Sequence, residues 1–63
     1  MQLLNDLMGR KVTIYSEEGQ LERQDIGILE AADSTWLRLR KQDGEVLFFC
    51  IHRMRMIKPF EPL

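Results

Sequence analysis

Sixty-three residues with one cysteine, two prolines, one tryptophan and one tyrosine leave little to staple, kink or decorate a small domain. The lone Cys50 excludes an internal disulfide, and with a single histidine it is too poor a ligand set for a structural zinc site. Charge of one sign is also missing. The formal net charge is −1 with 30% charged residues, which makes a well-mixed surface and excludes a nucleic-acid binder by bulk charge alone. No apolar run approaches the roughly 20 residues of a membrane span, and residues 1–8 lack the basic stretch and apolar core of a secretory signal. Together with the lone thiol, this leads us to expect a cytoplasmic protein with no membrane partner. A Gly-rich phosphate loop and a frame of paired carboxylates are lacking as well, so we expect no enzyme activity, catalytic residues, metal, cofactor or small-molecule substrate.

What is present is a single domain, residues 1–63. A chain of about 60 residues buries only roughly 60% of the surface it exposes when unfolded. Without disulfide or metal, self-association is the remedy left. Residues 2–8 carry Leu3, Leu4, Leu7 and Met8 at helical spacing, and Gly9 follows where helices end. From residue 10 to residue 58 the period is two. Lys11 to Tyr15 reads as a first strand, with Glu17-Glu18-Gly19 as its turn. Residues 20–25 read as a polar, long hairpin extension or a loose strand start, and Ile26 to Ala31 as a second strand in which Gly27 marks a bend or bulge. Asp33-Ser34 turns into a third strand, with Leu37 and Leu39 on one face and Trp36, Arg38 and Arg40 on the other. Gln42-Asp43-Gly44 is a hairpin signal. The run Val46 to Ile51 reads as a fourth strand, with a break near His52. Met54 to Lys58 then makes a fifth, closed by Pro59, and residues 60–63 read as a loose tail. The expected fold is mostly β: a short helix followed by a strongly bent, five-stranded antiparallel sheet forming a small barrel.

The fourth strand does not alternate. Val46, Leu47, Phe48, Phe49, Cys50 and Ile51 are all apolar, so both faces need cover, more than so short a chain supplies. Two other features carry possible chemistry. Arg38, Arg40, Arg53 and Arg55, with Trp36 beside them, can form a basic stripe suited to single-stranded nucleic acid; they can equally form a solvated face paired to Glu30, Asp33 or Glu45. Cys50 and His52, two apart on one strand face, have the spacing of a nucleophile and base but no third partner. A buried thiol and a hydrogen-bonded histidine are the expectation.

The order of elements resembles the Sm-like family, in particular its bacterial Hfq-like branch. Leu3-Leu4-Asn5-Asp6-Leu7 is similar to that branch's helix pattern, and Val12-Thr13-Ile14-Tyr15 with Gly19 to its first strand and turn. Gly27, Glu30, Asp33, Leu37 and Leu39 stand at its later offsets, and His52 precedes Pro59 as the family's histidine precedes its proline. The match covers most of the chain, with a short insertion between Gly19 and Gly27. The resemblance implies an Sm-like barrel that forms rings of about five to seven subunits, the fourth strand of one pairing with the fifth of the next. Val46, Phe48, Cys50, Met54 and Met56 would then form the joint; the alternative is a monomeric barrel whose helix covers that surface. It also implies single-stranded RNA as a partner, with His52 retained from one pocket and Tyr15 and Gly19 from the other. Ser34, Thr35 and Ile51 stand where the family's pocket carries glutamine, a stacking residue and lysine, which implies an altered or weakened base preference. A second expectation is a protein-interaction or assembly module of the same fold that has lost RNA binding.

Overall fold

The computed structural model describes residues 2–61, with side chains from residue 4 to residue 61. The Leu3 side chain of the apolar stripe, and Pro62 and Leu63 of the tail, lie outside the described residues. The chain opens with a 3₁₀ helix, Gln2–Leu7. Five strands follow: β1 (Lys11–Glu18), β2 (Leu21–Ala32), β3 (Trp36–Arg40), β4 (Val46–Cys50) and β5 (Met54–Pro59). A single 3₁₀ turn, Ile51–Arg53, links β4 to β5.

The helix is tighter and shorter than the expected residues 2–8. In a 3₁₀ helix residues three apart eclipse, and Leu4 and Leu7, so spaced, are both buried. Its end is fixed by Gly9, at φ 76°, whose N–H donates to the Leu29 carbonyl at 2.8 Å. The helix is thereby tied to the middle of the sheet, which is how so short a segment persists.

The strands form one antiparallel sheet in the order β4-β3-β2-β1-β5. β1 and β2 are longer than the sequence pattern suggested. The polar stretch is regular strand from residue 21 onward, paired as Ser16 with Arg23, Glu17 with Glu22 and Glu18 with Leu21, and the turn shrinks to Gly19 (φ 66°) and Gln20. Two glutamates directly opposite each other repel. Arg55 offsets this by bonding Glu22 and lying 3.8 Å from Glu17.

The bend in β2 has two separate causes. Pairing with β3 slips between Leu29 and Ala31, which places the bulge at Glu30 rather than at Gly27. Gly27 serves a different end, because a Cβ there would meet the Arg40 carbonyl oxygen at 2.5 Å. A missing side chain is what lets β3 lie so close.

The sheet curls strongly without closing. β4 and β5 are its two edges, yet only Ile51–Arg53 separates them in sequence. One end of each edge must therefore lie near the other, although no ladder joins them. The expected closed barrel is thus an open, rolled sheet. Its core is Leu4, Leu7, Val12, Ile14, Leu29, Leu37 and Leu39, with Met8, Phe49, Ile51, Met54 and Ile57 packed against it. Phe60 is not loose: its N–H donates to the Lys11 carbonyl at 2.9 Å, and the Lys11 ammonium sits 4.2 Å from its ring centroid.

Candidate functional site

The apolar run of β4 divides between two faces. In the ladder with β3, Leu37 opposes Phe49 and Leu39 opposes Leu47, so these face the core; Arg38 opposes Phe48, Arg40 opposes Val46 and Trp36 opposes Cys50 on the outer face. Phe48 is 62% exposed and Trp36 49% exposed. Val46 and Cys50 are half-buried. One face of β4 is therefore left open by the chain itself, beside a free backbone edge. On the other edge strand, Met56 opposes Tyr15 and is exposed, whereas Met54 turns inward onto the core. Of the five residues expected at the joint, Met54 packs against the core of its own chain.

Between the two edges lies a cleft of about 310 Å³, lined by Leu47, Phe48, Cys50, Arg53 and Met54 together with the acidic end of β1. Ile51, at the start of the turn between the two edges, is anchored by its N–H, which donates to the Thr35 carbonyl at 2.7 Å. His52 lies in the 3₁₀ turn and is exposed. It does not share a strand face with Cys50, so the pair expected from their spacing is not formed. Among the described residues no group of three potential metal ligands occurs.

The four arginines do not make one stripe. Arg38 and Arg40 project from β3 and share one carboxylate, donating through their Nε atoms to Glu30 Oε1 at 3.2 Å and Oε2 at 2.5 Å. The Arg40 hydrogen bond, more than any other influence, holds the Glu30 carboxyl below its ordinary range. Arg55 lies on β5, separated from β3 by β1 and β2, and is taken up by Glu22 and Glu17. Arg53 has no ion pair among the described residues. This is the paired, solvated arrangement for three of the four.

Tyr15 is half-buried beside Met56, Glu22 and Arg55. Gly19 caps the far end of the hairpin, and Glu17, Glu18 and Glu22 make this corner acidic. At the β2–β3 turn, where the family resemblance expects a pocket, Asp33 is occupied in its own loop. Its Oδ1 accepts from the Thr35 and Trp36 backbone N–H groups, both at 2.8 Å. Those two bonds, Trp36 first, hold its carboxyl below the usual range.

Sequence reasoning passed over two features. Asp25 is 3% exposed and holds Arg23 at 2.9 Å and Lys41 at 3.2 Å. Ile26 and Ile28 face outward from the central strand at 41% and 39% exposure. The signal for both was the alternation Asp25, Gly27, Leu29 against Ile26, Ile28, which hydrophobicity alone assigns to the wrong face. Comparison with protein-family models, curated proteins and solved structures gave no match to this chain.

Proposed function

We propose that this chain is a non-catalytic, self-assembling module: a subunit of a homo-oligomeric ring of Sm-like architecture in which β4 of one copy pairs with β5 of the next. The observation that carries this reading is the pair of unpaired edges, β4 and β5, at the two ends of a curled sheet. A free edge beside an exposed phenylalanine is a surface that soluble proteins cover, and Phe48 is 62% exposed. Head-to-tail joining consumes both edges in every subunit, and a rotation that closes gives a ring. No helix among the described residues is long and apolar enough to cross a membrane, and a cytoplasmic site of action belongs to the same proposal.

Light scattering of the full chain at micromolar concentration tests it. A mass of about five to seven subunits, the ring size that the Sm-like resemblance implies, is expected, and a clean monomer of 7.5 kDa overturns it.

A second reading adds single-stranded RNA as a ligand with changed base preference. It is favoured by Arg53, a cation without an ion pair among the described residues, and by exposed His52 and Trp36. Arg55 is taken up by Glu22 and Glu17, and Glu30 offsets one of the two charges of Arg38 and Arg40, which weighs against a strong phosphate contact. Fluorescence anisotropy with uridine-rich and adenine-rich oligonucleotides at two salt concentrations decides it. Salt-sensitive binding that Arg53→Glu abolishes supports RNA; a flat titration at low salt removes it.

A further inference from the structure

A second concavity, larger than the edge cleft and separate from the acidic corner, is a groove of about 710 Å³, within the roughly 300–1,000 Å³ range of ligand sites. It lies on the outer side of the sheet and draws no residue from β4 or β5. Its floor is Ile26 and Ile28, and its end wall is Phe60. All three are large apolar side chains exposed on a chain that has few to spare. Elsewhere the outward positions of β2, Glu22, Gln24 and Glu30, are polar. An apolar step at only these two positions of a central strand is a local departure from the pattern of a wet sheet face.

The rim is cationic. Lys11, Arg40 and Lys41 stand around the floor. Lys11 is held by the Phe60 ring and not by a carboxylate. Arg40 spends its Nε on Glu30, and among the described residues its two Nη groups are unengaged. Lys41 gives a hydrogen bond to buried Asp25 and also lines the groove. The one carboxylate at the rim, Asp43, is turned into its own loop, accepting the Glu45 N–H at 2.9 Å.

The geometry points to a docking site for a short acidic peptide segment of a partner protein, with aliphatic side chains on Ile26 and Ile28 and carboxylates toward Lys11, Arg40 and Lys41. Charge complementarity chooses this occupant: a cationic rim around an aliphatic floor matches alternating acidic and aliphatic side chains. Single-stranded nucleic acid fits less well. It stacks its bases on aromatic faces, and the only aromatic ring here, Phe60, carries the Lys11 ammonium on its face. The groove does not depend on the ring reading, because its lining leaves both sheet edges free.

The test is fluorescence anisotropy on the full chain with a labelled peptide of alternating glutamate and leucine. An alternating lysine and leucine peptide and a uridine oligonucleotide serve as comparison probes. The acidic peptide is expected to bind, with affinity falling roughly tenfold in the Lys11→Gln, Arg40→Gln double variant and in Ile28→Ser. Amide shift mapping on the unaltered protein provides a reading independent of variant folding. Perturbations are expected at residues 24–28, 40–42 and 60. Equal binding of the basic peptide, displacement by the oligonucleotide, shifts confined to residues 46–50, or no titration by the acidic peptide each overturn the proposal.

Discussion

Gly27 and Arg40 meet backbone to backbone: a Cβ on Gly27 would lie 2.5 Å from the Arg40 carbonyl oxygen and 3.0 Å from the Leu39 Cγ. The opposing atom is main chain in a paired strand, so it has little freedom to retreat. Gly27→Ala is expected to cost about 1–3 kcal/mol, the usual range for overpacking a well-filled interior. Gly19, at φ 66° with open space around it, is the control. Gly19→Asn is expected to be nearly neutral, because asparagine tolerates the left-handed region. Urea denaturation of the two variants checks the contrast.

Asp25 supplies a second prediction. It is buried, and it is the shared partner of Arg23 and Lys41. Asp25→Ala leaves both cations without it and is expected to destabilise the fold by about 1–3 kcal/mol. A variant with an unchanged denaturation midpoint would show that the two partly exposed cations are served equally well by water.

The acid limb of stability should be carried in part by Glu30 and Asp33. Both carboxyls are held below their ordinary values of 4.5 and 3.8 in the folded chain, Glu30 first by Arg40 and Asp33 first by the Trp36 N–H. A depressed folded-state pKa means that the contribution is complete above the unfolded pKa. It is lost as pH falls through the lower, folded value. The denaturation midpoint should therefore fall as pH drops below 4.5 for Glu30 and below 3.8 for Asp33. Glu30→Gln and Asp33→Asn should each flatten part of that fall, read from urea midpoints across the acid range.

A charge at the open β4 face should separate assembly from folding. Phe48 is 62% exposed, so Phe48→Asp is expected to change subunit stability by no more than about 0.5 kcal/mol. In the proposed joint the same charge would be buried without a partner, and the assembly should fall to smaller species in light scattering. Retention of the parent mass by this variant would place the contact elsewhere.

Much of the strand sequence was legible. Leu37 and Leu39 alternate with Trp36, Arg38 and Arg40, and the structure buries the first pair and exposes the rest. The Asp43-Gly44 turn and the break at His52 also lie where residue type placed them. In β2 neither face was legible as the inner one. Ile26 and Ile28 are the better core residues by transfer energy, yet Asp25, Gly27 and Leu29 face inward. A strand offers only two faces, and a neighbour bears on the choice: a Cβ at position 27 would meet the Arg40 carbonyl. The arginines were legible in part: Glu30 was an expected partner and pairs Arg38 and Arg40, whereas the pairing of Arg55 to Glu17 and Glu22 depends on strand order and not on spacing.

The sequence by itself determined a small, mostly β chain with a short docked helix, five strands and one strand too apolar for a wet face. Those properties follow from local period, turn chemistry and the small surface so short a chain can bury. Tertiary structure alone decided that the sheet stays open, that β4 and β5 remain its edges, and that the isoleucines of β2 line an outer groove. Each of these depends on which strand lies beside which, and a contact between residues far apart in sequence leaves no periodic trace in the chain that makes it.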